Sequence, residues 1–470
     1  MDDTLKKDND SIAVLLSDSV DDNPFRLDDE EISQAIEAIK AQDSDTVHQM
    51  LDDLGPADIA ELLHKMSADV RHEFLQMFSE QIAPETYSEL NYELRRNVLE
   101  NMDAEDVARI LSDLDSDDAL DIIEDIDPDF RKQIISKLSA KTRLVLEEGL
   151  SFPEDSAGRL MQREVVAVPE FWTVGKAIDY LRSAGDSLPN EFFDVIVVDP
   201  AYHVTGIIPL KRIICSHRPV RLEDLKLDVV YSIPAEMDQE EVADIFRRDN
   251  LLSAPVVDDN GRLLGVITID DIIDVIDEET QEDIMRLGGV TDSDLYTSPM
   301  RTSVNRMRWL AITLVNTIIA SFVISRFEAT IEEIVALAIL MPIVAAMGGN
   351  AGMQVVTVTV RGLATRELSS QNYNRIIKRE ILVGALNGVV FGCIMGLLAA
   401  LWFGSPVLGM VLMAAMLFNM FWAGIAGTGI PLILERFGYD PALSAGPFLT
   451  TTTDCLGFLI FLGLATLVLL

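Results

Sequence analysis

One carboxylate stands alone in the last apolar stretch of this sequence: Asp454, in the run Thr450-Thr-Thr-Thr453-Asp454-Cys455-Leu-Gly457. A charged side chain in hydrocarbon costs about 3 kcal/mol or more, so such a group must face water, a cation or a basic partner. The apolar stretches of the chain contain no lysine or arginine. Two readings fit: a carboxylate on a cation pathway, or a protonated acid held by a threonine hydroxyl. The lack of a base favours the pathway.

A second group of polar residues interrupts an earlier apolar stretch, Met341-Pro-Ile-Val-Ala-Ala-Met-Gly-Gly-Asn350-Ala-Gly-Met-Gln354. Pro342 removes a backbone donor, and Gly348, Gly349 and Gly352 let another backbone come close. Small residues alone fit ordinary helix packing as well as function, but Asn350 and Gln354 share one helical face and suit a pore wall. A third candidate is the acid-rich run from Asp270 to Gly289. Ile269, Ile272, Ile273, Ile276, Ile284 and Leu287 form a helical stripe, while Asp270, Asp271, Asp274, Glu278 and Glu282 crowd the other side. Like charges three or four residues apart repel, so this helix would gain from a bridging divalent cation. The same run also reads as a plain solvated face. Asp440, in Tyr439-Asp-Pro-Ala, reads as a helix cap near one mouth of the membrane.

The elements that must hold these residues follow from the distribution of charge and apolarity. The chain has 77 acidic and 37 basic residues, a formal charge of −40. Residues 301 to 470 contribute only 8 acids and 10 bases, so residues 1 to 300 carry 69 acids and 27 bases, about −42. A half this acidic excludes nucleic acid as a partner and suits cations. Five apolar stretches follow Arg308, roughly 309–325, 331–360, 381–403, 407–434 and 442–470, each near or above the length that crosses a bilayer. Arg301, Arg306 and Arg308 precede the first, and Arg361, Arg366, Arg375, Lys378 and Arg379 follow the second. The positive-inside rule therefore places the N-terminus in the cytoplasm and, with five spans, the C-terminus outside. The opening MDDTLKKDND has no basic region followed by an apolar one, so no cleavable signal peptide is expected. Cys215, Cys393 and Cys455 are too few and scattered for a disulfide framework. All five histidines precede the membrane stretches and no HExxH occurs, which disfavours a transition-metal pathway and an intramembrane metalloprotease.

Two repeats organise the acidic half. Residues 198 to 214 align without a gap on 257 to 273, an offset of 59, with Gly206-Ile-Ile208 matching Gly265-Val-Ile267. Amphipathic stretches at Val174 to Leu181 and Val242 to Phe246 precede the copies, so each reads β-α-β-β-α and resembles a CBS domain. No residue pattern decides whether this pair takes adenine nucleotide, metal or both. Upstream, a pattern of period twelve that begins at Leu51 recurs at Leu99 to Leu111, Leu111 to Ile123 and Ile123 to Ile135, and more loosely from Leu63 and Ile135, which reads as short helices stacked into a superhelix. Its acids Asp113, Asp115, Asp117 and Asp118 read as a solvated face, and residues 1 to 25 as a disordered acidic tail.

The whole resembles the MgtE family of bacterial magnesium channels, on Pro342 with Gly348-Gly-Asn350 and Gln354, Val360-Arg-Gly-Leu-Ala-Thr365, Asp440-Pro-Ala442, Pro447 with Asp454, and the linker from Asp270 to Gly288. The resemblance implies a multidomain membrane protein: a helical-repeat N-domain over 26–150, CBS domains over 151–216 and 217–269, an acidic linker or plug helix over 270–297, and a five-helix transmembrane domain over 298–470. It implies no enzyme but a homodimer in the bacterial inner membrane that takes up Mg²⁺ between its subunits and closes when cytoplasmic Mg²⁺ binds. By motif position, Asp454 and Asn350 belong to the pore, and Asp238, Glu240, Asp271, Asp274, Glu279, Glu282, Asp283 and Asp440 hold regulatory ions. Gly446, Ala351, Met353 and Asn250 depart from relatives that carry polar residues there. A proton- or ion-coupled carrier of the same architecture uses the same aspartate and stays open.

Overall fold

The computed structural model describes residues 29–41, 43–79, 81–185, 188–189, 192–227, 231–290, 299–368 and 371–470. The expected acidic tail over 1–25 and the end of the linker over 291–297 lie outside them. The chain divides into two units, residues 1–277 and 278–470.

Among the described residues, ten helices come first in the first unit: α1 Asp29–Lys40, α2 Ser44–Asp53, α3 Pro56–Lys65, α4 Ala68–Phe78, α5 Glu85–Ser88, α6 Tyr92–Glu100, α7 Ala104–Asp113, α8 Ser116–Asp125, α9 Pro128–Lys137 and α10 Ala140–Gly149. The period of twelve is visible in their starts, since α2, α3, α4, α6, α7, α8, α9 and α10 all begin on one twelve-residue grid. The residue before each start is Asp43, Gly55, Ser67, Asn91, Asp103, Asp115, Asp127 or Ser139, all types that favour an N-cap. Asn91 Oδ1 accepts from the Leu94 N–H at 3.0 Å and Ser139 Oγ from the Thr142 N–H at 3.2 Å. Apolar residues such as Leu63, Leu99, Leu111 and Ile123 turn inward from each helix and build one continuous core. Each repeat is too short to bury its own apolar face and depends on its neighbours.

After a short helix, α11 Ala157–Leu160, two small sheets follow. The first holds β1 Ala167–Pro169, β2 Asp194–Val198 and β3 Val204–Pro209, with α12 Val174–Ala184 after β1 and α13 Leu210–Cys215 after β3. The second holds β4 Ile233–Pro234, β5 Ser253–Val257 and β6 Leu263–Thr268, with α14 Gln239–Asp249 after β4 and α15 Ile269–Leu287 after β6. Each sheet has a parallel pair and then an antiparallel pair, and the register slips at Val197/Val198 and again 59 residues on at Val256/Val257. Ser253 Oγ donates to Asp194 Oδ2 at 2.7 Å, so two positions related by the sequence offset meet between the copies. The acidic linker is the last helix of the second copy: α15 runs on from β6 without a Gly or Pro until Gly288 ends it.

The second unit contains α16 Pro299–Ser325, α17 Glu328–Glu333, α18 Ala336–Ala364, α19 Tyr373–Phe403, α20 Pro406–Arg436 and α21 Pro441–Leu469. Five of these are long and apolar enough to span a membrane. The second span starts at Ala336, later than hydropathy predicts, because residues 328–333, which carry three glutamates, fold separately as α17. Gly384, Gly388, Gly392 and Gly396, one per turn of α19, lie against α20; a Cβ at Gly384 would sit 2.6 Å from the Met420 carbonyl and one at Gly396 2.7 Å from that of Gly409. Glycines on one helix let the backbone of the other come this close, which gains dispersion contact that lipid tails cannot match.

Candidate functional site

Asp454 lies near the middle of α21 and is half-buried. Among the described residues no side chain pairs with it or hydrogen-bonds to it. It opens into a cavity of about 190 Å³ lined by Thr450, Thr451, Gly446 and Pro447 of the same helix, Trp309, Thr313, Asn316 and Thr317 of α16, Met353 of α18 and Leu287 at the end of α15. Pro447 cannot donate within its helix. Asn316 Nδ2 and Thr451 Oγ1 both donate to the Pro447 carbonyl, at 3.2 and 2.7 Å. The other threonine hydroxyls of the run likewise donate to carbonyls a turn back, leaving oxygen lone pairs rather than donors for a guest. A carboxylate among hydroxyl and amide oxygens is the donor set of a hard, hydrated cation.

Asn350 and Gln354 do not line this cavity. They stand exposed on α18 with Pro342, Ala346 and Thr357, a polar and small stripe on a membrane-length helix. The small residues on the other side of that helix are packing devices. A Cβ at Gly352 would sit 2.7 Å from the Leu449 side chain. Gly348 faces Asn419 of α20, which is 1% exposed and donates from Nδ2 to the Val344 carbonyl at 2.8 Å. Asn419 was not foreseen from sequence; its one signal is an amide alone in the apolar run of α20.

The expected regulatory acids fall into three places. At the start of α15, Asp271 Oδ2 accepts from the backbone N–H and the hydroxyl of Thr268, at 3.2 and 2.8 Å, completing half of a capping box. Burial, with Asp270 and Asp118 nearby, pushes its carboxyl up to about 7. Asp117 and Asp118 of α8, expected on a solvated face, lie here instead. Burial and then the Asp271 charge raise Asp117 well above the usual range, and burial brings Asp118 to about 6. Asp274 is raised by burial and by the charges of Glu89, Asp270, Asp277 and Asp121. Arg95, which acts on Asp118, is held by Asp125 and by Asp121 at 2.6 Å.

At the other end of α15, Glu282 pairs with Arg286, whose Nη1 reaches Asp440 Oδ2 at 2.9 Å. Asp440 is also the N-cap of α21, its Oδ1 accepting from the Ala442 N–H at 2.7 Å. Asp283 is raised by burial and then by the Asp440 charge, with Arg286 opposing and Glu279 adding to the rise. In the third place, Asp238 caps α14 by accepting from the Glu240 N–H at 2.9 Å, and Glu240 is exposed. Asn250 ends that helix in the left-handed conformation (φ +52°), which asparagine tolerates better than most residues. Among the described residues no three metal-ligating side chains are preassembled around one point.

Three family models match this chain: "Divalent cation transporter" over residues 341–464, "MgtE intracellular N domain" over 54–155 and "CBS domain" over 222–278. The magnesium transporter MgtE of Thermus thermophilus is 34% identical over 335 residues, 71% of this chain and 74% of its own. That of Bacillus subtilis is 31% identical over 418 residues, 89% of this chain and 92% of its own. Among solved structures, the cytosolic domain of the Mg²⁺ channel MgtE in complex with ATP is 28% identical, with a TM-score of 0.49 over 52% of this chain and 99% of its own. With relatives matched along most of their length and family models in the acidic half and the membrane half alike, the chain belongs to the MgtE family.

Proposed function

We propose that this protein carries Mg²⁺ through its five-span unit along a path that passes Asp454, and that Mg²⁺ bound to its cytoplasmic acids closes the path. The observation that carries this reading is the half-buried Asp454 carboxylate, without a protein partner among the described residues, facing a cavity of about 190 Å³. Mg²⁺ sheds its water reluctantly, so the hydroxyl and amide oxygens around Asp454 suit an ion that keeps part of its shell. One carboxylate is little charge for a divalent ion, and the exposed Asn350–Gln354 stripe needs water or protein beside it. Both features support a homodimer with its pore where two such stripes meet, and the bases before the first span and after the second support an inner-membrane protein with its N-terminus in the cytoplasm and its C-terminus outside. The boundaries expected for the N-domain, the CBS pair and the linker belong to the same proposal. ATP is bound by the related cytosolic domain, which makes adenine nucleotide the class to test on the CBS pair here.

Purified wild type and Asp454→Ala in proteoliposomes test the reading. Wild type should pass Mg²⁺ and the variant should lose flux while staying folded, and native mass measurement of both should give a dimer. Wild-type flux from a folded Asp454→Ala protein ends the pathway assignment; a current that saturates with a proton gradient, rather than an ohmic one, replaces the channel with a coupled carrier.

A further inference from the structure

Asn419 of α20 touches both helices carrying the proposed pore residues. On one side its Nδ2 donates to the Val344 carbonyl of α18 at 2.8 Å, and a Cβ at Gly348 would lie 2.2 Å from that nitrogen. On the other side a Cβ at Gly457 of α21 would lie 2.8 Å from it. The side chain is 1% exposed, and its Oδ1 is fully buried with no hydrogen-bond partner among the described residues. A buried amide oxygen left without a donor is costly, more so in a membrane than in water. Ordinary packing does not need that cost, because a leucine would fill the same space at none.

We propose that Asn419 is a positioning and specificity-determining residue for cation passage. Gly348 precedes Asn350 by two residues on α18, and Gly457 follows Asp454 by three on α21. One amide therefore fixes the separation of both helices and, through its bond to Val344, the rotation of α18 about its own axis. A selective passage for a hydrated ion depends on such spacing, because ions that differ in radius and hydration are told apart by where the oxygens sit. The two glycines are the seat of this wedge: any side chain at either would displace the amide.

The inference rests on the pore reading above. Flux of Mg²⁺, Ca²⁺ and Co²⁺ into proteoliposomes tests it in three variants of the full chain. Asn419→Leu keeps the shape, so the protein should fold and pass cations, but its preference for Mg²⁺ should fall by about tenfold. Gly348→Ala should cut Mg²⁺ flux by about tenfold, and the Gly348→Ala/Asn419→Ala pair should recover most of it, since the new methyl enters space the amide has left. An Asn419→Leu protein with wild-type flux and preference overturns the inference, as does a double variant whose losses simply multiply. Either result alongside a dead Asp454→Ala protein removes the role of Asn419 alone; an active Asp454→Ala protein removes the pore reading beneath it.

Discussion

The two ends of α15 solve the same electrostatic problem in different ways. At its start, Asp271, Asp270, Asp117 and Asp118 lie near one another, and Arg95, which acts on Asp118, is held by Asp121 and Asp125. At its end, Glu282, Asp283 and Asp440 gather around an arginine of the helix itself, Arg286. The carboxyls of the first cluster are raised by burial and by one another; the second carries its own cation. A ligand shifts an equilibrium only by its differential affinity for the two states. On the reading proposed above, the start of α15 is where cytoplasmic Mg²⁺ should have the greater leverage and the end where it should have less.

The largest effect that would break this comparison comes from the start. Asp118→Asn with Asp271→Asn removes two of the charges that oppose each other there, so the compact state should form without Mg²⁺. Patch-clamp current against cytoplasmic Mg²⁺ should then lose most of its dependence, with the midpoint moved by about tenfold or more. An unchanged midpoint would mean that these buried acids take no part in closure.

Next in size is the pH dependence of the same cluster. The folded-state carboxyl of Asp271 lies at about 7, against about 3.9 for an unfolded aspartate. The folded form therefore binds more protons than the unfolded form between those values, and stability falls as pH rises through that window. The groups facing Asp271 are Asp117, Asp118, Asp270 and Thr268, and the first two are raised in the same direction. In chelator, thermal unfolding of the full chain should shift to lower temperature from pH 5 to pH 8, and saturating Mg²⁺ should reverse the shift at pH 8 only. A flat profile in chelator would mean that the cluster opens into water.

How much of this was legible in the sequence depends on whether the cause is local. The N-caps of the helical repeat recur every twelve residues because each helix needs one, and the CBS offset of 59 reappears as the Asp194–Ser253 contact. Asp454 could be singled out because a lone acid in an apolar run has few explanations. Asp117 and Asp118 misread as solvated because nothing near them in sequence shows that α15 will start beside them. Asn419 was missed for a related reason: its two glycines lie on other helices, 71 residues before it and 38 after.

The smallest effects test the other end of α15, where Arg286 and Asp440 should act with opposite sign. Arg286→Gln leaves Asp283 and Asp440 repelling each other without a resident cation, so closure there comes to depend on Mg²⁺ and the current–Mg²⁺ curve should steepen. Asp440→Asn removes one of the repelling charges, so the curve should become shallower. Each pair is half-exposed and worth under about 1 kcal/mol, so midpoint shifts of about threefold are the scale to look for. Asp440 has a second duty that must be kept apart from the first. Asparagine caps a helix about as well as aspartate, so Asp440→Asn preserves the bond to the Ala442 N–H, whereas Asp440→Ala loses it at about 1 kcal/mol. Asp440→Ala should therefore lower the unfolding temperature as well as flatten the curve, and Asp440→Asn should only flatten it. If Arg286→Gln and Asp440→Asn move the curve in the same direction, Arg286 is a structural brace for the helix end, and both ends of α15 answer to Mg²⁺ alike.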